Sequence, residues 1–245
     1  MTNHAEIDIK NREIFKKKKI LQKIYKKYFQ KIKKNLLNKN QTQILEIGSS
    51  GFIKEIIPNC ITSNLKKNDA MIDLKENIYD LKIKKNSISN LIMVDIFHHL
   101  EFPNFALKNI HDVLIPEGRV IMIEPAMGLI PRLIYKFFHH EPNGFNFNIK
   151  WDEIPSDIPQ ESSYFAAQSI PWRAFVNKEL NLNGKFKIKK VKCFSDFAYL
   201  ASGGFSYKSF YPRFFYNIFS FLDSILTKIS KRLFSARMII VLEKI

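Results

Sequence analysis

The segment Gln43-Ile-Leu-Glu-Ile-Gly-Ser-Ser-Gly-Phe-Ile-Lys-Glu-Ile-Ile57 constrains the fold more than any other stretch of the chain. Ile44, Leu45 and Ile47 form a short apolar run of the kind a strand buried on both faces requires; Gly48 and Gly51 then bound a turn, and a helix start follows. Glycine at those two places permits backbone angles, or a close ligand approach, that a β-carbon would block. A strand, a glycine turn and a helix in that order suit an α/β protein with a nucleotide-like cofactor at its strand ends. The dinucleotide fingerprint G-x-G-x-x-G is absent. The spacing is G-x-x-G, with the acidic Glu46 two places before the first glycine, which argues against a phosphate at the turn.

An acidic strand end beside a glycine turn suits a cationic cofactor such as S-adenosylmethionine. The Glu46 to Gly51 segment resembles motif I of the class I S-adenosylmethionine-dependent methyltransferases, and two later segments resemble the same family in the same order. Asn90 to Leu100 resembles its fourth strand and the loop that follows. Phe105 to Pro125, with Pro116-Glu-Gly118 as a turn, resembles its next helix and fifth strand. The resemblance, to type 11-like members of the class, covers Gln43 to Ala126 firmly and the rest loosely. It implies an α/β, doubly wound, seven-stranded and mostly parallel Rossmann-like sheet, with S-adenosylmethionine as cofactor and methyl transfer as activity.

Around that core, 245 residues fit a single domain long enough to bury a full core. Residues 1–42 hold a basic amphipathic helix, 43–126 the cofactor-binding core, 127–185 a substrate-side elaboration and 186–245 the last strands with an aromatic-rich segment. Phe15 to Leu37 carries apolar residues at helical spacing with lysines on the other face, which predicts one helix covering the sheet. The second strand is expected at Cys60 to Asn64, a short third at Ala70 to Asp73, the fourth at Leu91 to Ile96 and the fifth at Arg119 to Glu124. Lys187 to Phe194 and Ala236 to Glu243 resemble the family's antiparallel sixth and seventh strands. The proline-rich run Met127 to Lys185 reads as an elaboration over the active site.

The resemblance assigns the cofactor site to Glu46, Gly48, Ser49 and Gly51, with Asn64 at the ribose position and Asn77 at the adenine position. Asn64 and Asn77 depart from the family's usual carboxylates, and Asp73 and Asp80 flank Asn77. Replacing a carboxylate by an amide costs roughly 1 to 2 kcal/mol per lost charge-assisted bond, so the departures point to a weakened site or a catalytically idle relative. Asp95, in an apolar strand, needs a hydrogen-bonding or pocket role, and is counted with the cofactor residues. His98 and His99 follow the fourth strand; one could serve as a general base, and each could equally pack structurally. His139, His140 and Glu141 are the acceptor-side candidates. No metal is expected, because adjacent histidines rarely converge on one ion.

Two cysteines far apart, Cys60 and Cys193, indicate neither zinc nor a disulfide framework. No apolar core opens the chain and no run of eighteen apolar residues occurs, so a cytoplasmic protein, peripheral at a membrane at most, is expected. The formal charge of +16 suits anionic partners, or reflects the codon bias behind a composition rich in Lys, Ile and Asn. Ala201 to Phe234, dense in Phe and Tyr, packs on the core, lines an apolar channel or lies in a membrane interface with Lys228, Lys231, Arg232 and Arg237 at the headgroups. The absence of an RNA-binding module and of an Asn-Pro-Pro-Tyr loop favours a small-molecule or lipid- or saccharide-linked acceptor over RNA methylation. The competing class is a non-catalytic interaction protein on the same fold.

Overall fold

A computed structural model describes residues 4–38, 42–66, 70–160 and 165–245, with side chains described from residue 10 onward. Seven strands form one sheet in the order β3-β2-β1-β4-β5-β7-β6. These are β1 Gln43–Ile47, β2 Cys60–Asn64, β3 Leu74–Lys75, β4 Ile88–Val94, β5 Leu114–Pro125, β6 Phe186–Phe194 and β7 Arg237–Lys244. The first five pair in parallel; β7 lies antiparallel between β5 and β6. This is the doubly wound seven-stranded α/β sheet that the motifs imply.

Alternation along the strands divides the core into two layers. Leu45, Ile47, Leu91, Met93, Val120, Met122, Met238, Ile240 and Leu242 face α3 (Pro103–Val113) and α5 (Ile170–Phe175). Ile92, Ile121, Ile123, Ile239 and Val241 face the other way, onto α2 (Lys19–Lys33), with Phe15 of α1 (His4–Lys17) and Ala198 of α6 (Phe197–Ala201). On α2, Ile20, Leu21, Ile24, Tyr25, Tyr28, Phe29 and Ile32 are all buried, so its apolar stripe covers the sheet as the periodicity requires.

Several boundaries differ from expectation; β4 and β5 begin before the expected Leu91 and Arg119, at Ile88 and Leu114. The basic N-terminal stretch is two helices, broken at Lys18. The Gln22 side chain donates to the Phe15 and Lys16 carbonyls at 2.9 and 3.0 Å, while Lys18 Nζ donates to the carbonyls of Gly204 (2.6 Å) and Tyr207 (2.8 Å). These side-chain bonds add to the backbone bonds Lys18 N to Ile14 O (2.8 Å) and Gln22 N to Lys18 O (3.3 Å) that persist across the break. The glycine turn leads into a single 3₁₀ turn, Phe52–Glu55, rather than a full helix. Pro58 stands too close for more, since the residue before a proline is driven out of the helical region. The third strand lies at Leu74–Lys75, just beyond Ala70 to Asp73, because it is set by pairing with Ser63 and Asn64 at the sheet edge.

A short helix α4 (Leu129–Phe138) follows β5, and α7 (Tyr216–Ile229) and α8 (Lys231–Phe234) precede β7. Among the described residues, no helix is long and apolar enough to cross a membrane.

Candidate active site

At the C-terminal edge of the sheet, β1 delivers Glu46 and the glycine turn. Gly48 and Gly51 have φ of +67° and +85°. A β-carbon at Gly48 would stand 2.1 Å from Ile96 Cδ1, and one at Gly51 would stand 2.7 Å from Met71 Cβ, so both positions require glycine. Glu46 is 4 % exposed; burial pushes its carboxyl up to about 7, against a hydrogen bond from the Ser49 hydroxyl. Ser49 Oγ in turn accepts from Gly51 N at 2.9 Å, and Ser49 N donates to Ser63 O at 2.8 Å, tying the turn to β2.

On the nucleoside side, the Asn64 amide donates to Ser49 O at 3.3 Å and its oxygen accepts from Leu65 N at 2.7 Å. Asn77 donates to Pro159 O at 2.8 Å and accepts from Tyr79 N at 3.0 Å. The Asn64 amide thus braces the glycine turn, and the Asn77 amide ties its own turn to the distant Pro159. Of the flanking carboxylates, Asp73 pairs with Lys54 at 2.8 Å and accepts from Thr62 N, whereas Asp80 pairs with Lys82 at 2.7 Å. Asp95 stays beside the ends of β4 and β5, its carboxylate within 4.8 Å of a ring nitrogen of His98 and a carboxylate oxygen of Glu124. With φ of +58° it turns toward the α2 layer, where Arg237 grips both its oxygens and the Tyr25 hydroxyl donates to it at 3.2 Å. Burial would raise the Asp95 carboxyl, but the Arg237 guanidinium and these hydrogen bonds hold it below the usual carboxylate value.

The two histidine groups that lie far apart in the sequence converge. His98 is buried on the 3₁₀ turn Phe97–His99 after β4; its Nδ1 lies 2.8 Å from Glu124 Oε2 and its Nε2 3.4 Å from Glu141 Oε2. Burial would lower its pKa, yet the hydrogen bonds and charges of Glu124 and Glu141 raise it to about 10. His99 stacks beside it, ring centroids 4.1 Å apart; its Nδ1 meets Phe165 O at 3.1 Å and its Nε2 lies 3.8 Å from Glu141 Oε1. Burial and the His98 charge push His99 down to about 4. From the end of α4, His139 Nδ1 and His140 Nε2 stand 3.9 and 3.7 Å from the same Glu141 carboxylate, which Gln168 also binds through its amide. Burial holds the His139 imidazole below its usual range.

Sequence reasoning missed Glu124 and Gln168, and it set Arg237 among headgroup-facing cations, whereas Arg237 is buried against Asp95. Glu124 closes the apolar run of β5, fully buried, and its other oxygen accepts from Ile96 N (2.9 Å) and Phe97 N (2.7 Å), fixing the backbone that presents His98. A carboxylate ending a buried strand was the available clue, the same one that singled out Asp95. Gln168 lies in irregular structure, and Arg237 stands at the head of a strand; neither carries a local pattern.

A family profile described as Methyltransferase domain matches residues 54–122, from just past the glycine turn into β5. One curated relative, probable polyketide synthase 34 of Dictyostelium discoideum, is 24 % identical over 159 residues; these cover 61 % of this chain, which spans only 5 % of that protein's length. A SAM-dependent methyltransferase from Archaeoglobus fulgidus superposes with a TM-score of 0.50 at 12 % identity, covering 91 % of this chain and 94 % of that one. A chain from the complex of the Haloferax volcanii Trm112 methyltransferase activator with a methyltransferase gives 0.52 at 9 % identity, over 98 % and 95 %. These superpositions speak for the fold. The matched segment is thus similar to a methyltransferase domain, and the superpositions show the Rossmann-like methyltransferase fold.

Proposed function

We propose that the protein transfers a methyl group from S-adenosylmethionine to an acceptor with an apolar body, met at an anionic membrane surface. The carrying observation is the shared edge. The Gly48–Gly51 turn touches Ile96, two residues before His98, so the turn and the His–Glu cluster flank one site at the ends of β1 and β4.

The residues present fit the cationic half of the cofactor. Both glycines leave the turn without side chains, and the buried Glu46 carboxyl lies beneath it as a counter-charge for a sulfonium or an ammonium. Glu46, Gly48, Ser49 and Gly51 would hold that half, with Asn64 at the second strand end. On the ribose and adenine side, Asn64 and Asn77 offer amides already used within the chain, which suits modest affinity. When bound, the cofactor supplies an electrophilic methyl group, so the protein's own task is to place the acceptor and manage its proton. His98 and Glu124 set the floor of the acceptor side, and His99, His139, His140 and Glu141 form its wall.

The acceptor class is inferred from what adjoins that wall. Helix α4, which ends at His139, exposes Leu129, Leu133, Phe137 and Phe138. It packs on α8, which also meets α7 with its exposed Ile218, Phe221, Leu222 and Ile229. Exposed apolar side chains on helices joined in this way support a binding face, and on a chain of charge +16 the complementary partner is an anionic bilayer.

Calorimetry with S-adenosylhomocysteine tests the core of the reading. Binding with a Kd below about 1 mM is expected, and Gly48→Asp should abolish it, since the added side chain collides with Ile96. Folded protein that binds neither S-adenosylmethionine nor its demethylated product would leave a non-catalytic interaction domain as the explanation.

A further inference from the structure

The geometry points to a divalent transition-metal site formed by His98 Nε2, His99 Nε2 and the Glu141 carboxylate, a two-histidine, one-carboxylate set that zinc-class ions take. The three ligand atoms all lie within 4.8 Å of one another. The two nitrogens stand 3.4 and 3.8 Å from the Glu141 oxygens. Those distances are close to the separation between ligand atoms around an ion bonded at about 2.0 to 2.1 Å, whose tetrahedral edges run to about 3.4 Å, and the ion would displace the proton that His98 Nε2 shares with Glu141.

The distal sides of both rings are already dressed as metal-binding histidines are. His98 Nδ1 is held by Glu124 Oε2 at 2.8 Å, and Glu124 is itself anchored by two backbone N–H groups. His99 Nδ1 is held by the Phe165 carbonyl at 3.1 Å. A carboxylate on one ring and a carbonyl on the other fix both imidazoles with Nε2 presented inward, the arrangement that orients ligands toward an ion. Gln168 donates to Glu141 Oε2, the oxygen that faces His98, and so fixes the carboxylate. Two imidazoles and one carboxylate, with Glu124 behind them, place two negative charges around a dication. Mixed nitrogen and oxygen donors favour zinc, cobalt, nickel or iron over magnesium and calcium, which prefer oxygen alone. Three protein ligands leave at least one position open, which an oxygen of the acceptor would fill and the ion would polarise. That use of the ion rests on the methyl-transfer reading; its binding does not.

The test uses the full chain without a polyhistidine tag, stripped by chelator and titrated with Zn²⁺ and with Co²⁺. One equivalent is expected, with the visible absorption of low-coordinate Co²⁺. His99→Ala and Glu141→Gln should each weaken binding at least tenfold, and Glu124→Gln by 10- to 100-fold through ligand orientation. His111→Ala, remote from the cluster, should leave it unchanged. Circular dichroism confirms that each variant is folded. Stoichiometric metal lost on His140→Ala but kept on His99→Ala would mean chelation by the exposed α4 terminus and would overturn the proposal, as would no binding at micromolar metal. Gly48→Asp separates the two readings: it should lose S-adenosylhomocysteine binding and keep the metal.

Discussion

Glu46 is a carboxyl whose folded pKa, about 7, stands above the ordinary 4.5 it regains on unfolding. The native state therefore holds a proton that the unfolded chain releases across that window. Its contribution is complete below about pH 4.5 and is lost as pH rises through 7, worth roughly 3 kcal/mol over the interval. Urea unfolding at pH 5.5 and 8 should show the fall, and Glu46→Gln, which keeps the Ser49 contact without titrating, should flatten it. At this scale the sequence named Glu46, both glycines and all four clustered histidines, because each sits in a local pattern. It did not disclose that Glu141 would meet His98 and His99 across the site, since that meeting is set by where α4 ends and not by spacing. Glu124 escaped for a related reason: a charged residue closing an apolar run reads as the strand's end until its backbone partners are seen.

Among the elements, strands that are apolar runs were legible to within a few residues, because burial on both faces leaves no other pattern. β3 was not, since Leu74 and Lys75 are exposed and owe their conformation to a neighbour. The single expected N-terminal helix divides at Lys18 for a similar reason: its partners, Gly204 and Tyr207, lie far along the chain. The helix expected after the glycine turn was ruled out by Pro58, a cue present in the sequence and outweighed by the family pattern. The α2 layer is further locked by polar bonds: Arg237 at the start of β7 binds Asp95 after β4 and the Tyr28 hydroxyl at 3.2 Å, and Tyr28 binds Asp196 at the head of α6. Arg237→Met should destabilise the protein by roughly 3 kcal/mol, near the low end for a broken buried pair, because Asp95 retains 26 % of its side-chain exposure. The shift in the urea midpoint measures it, and little change would show that the pair's attraction merely offsets its desolvation.

For the molecule as a whole, charge and exposed apolar surface act together. Phe137, Phe214 and Phe221 are 69, 73 and 65 % exposed, near Lys136, Lys228, Lys231 and Arg232. Sedimentation with anionic vesicles should pellet the protein at low salt. Raising the salt should release most of it, because charges more than about 8 to 10 Å apart are screened at physiological ionic strength. A salt-resistant remainder should vanish in Phe137→Asp/Phe221→Asp. Failure to pellet at low salt would remove the membrane from the reading, and tighter binding to RNA in the same buffer would favour a nucleic-acid acceptor.

The order of the sheet also sets a timetable. Because β7 follows β6 in the chain yet lies between β5 and β6, a nascent chain that has made six strands still lacks the strand that joins the edge strand β6 to the rest of the sheet. Until the last strand leaves the ribosome, the β5 and β6 edges stand open with their hydrogen bonds unmet, and Asp95 waits for Arg237. β7 is thus the keystone of the sheet, and the seconds of greatest exposure to misassembly belong to synthesis rather than to the finished fold.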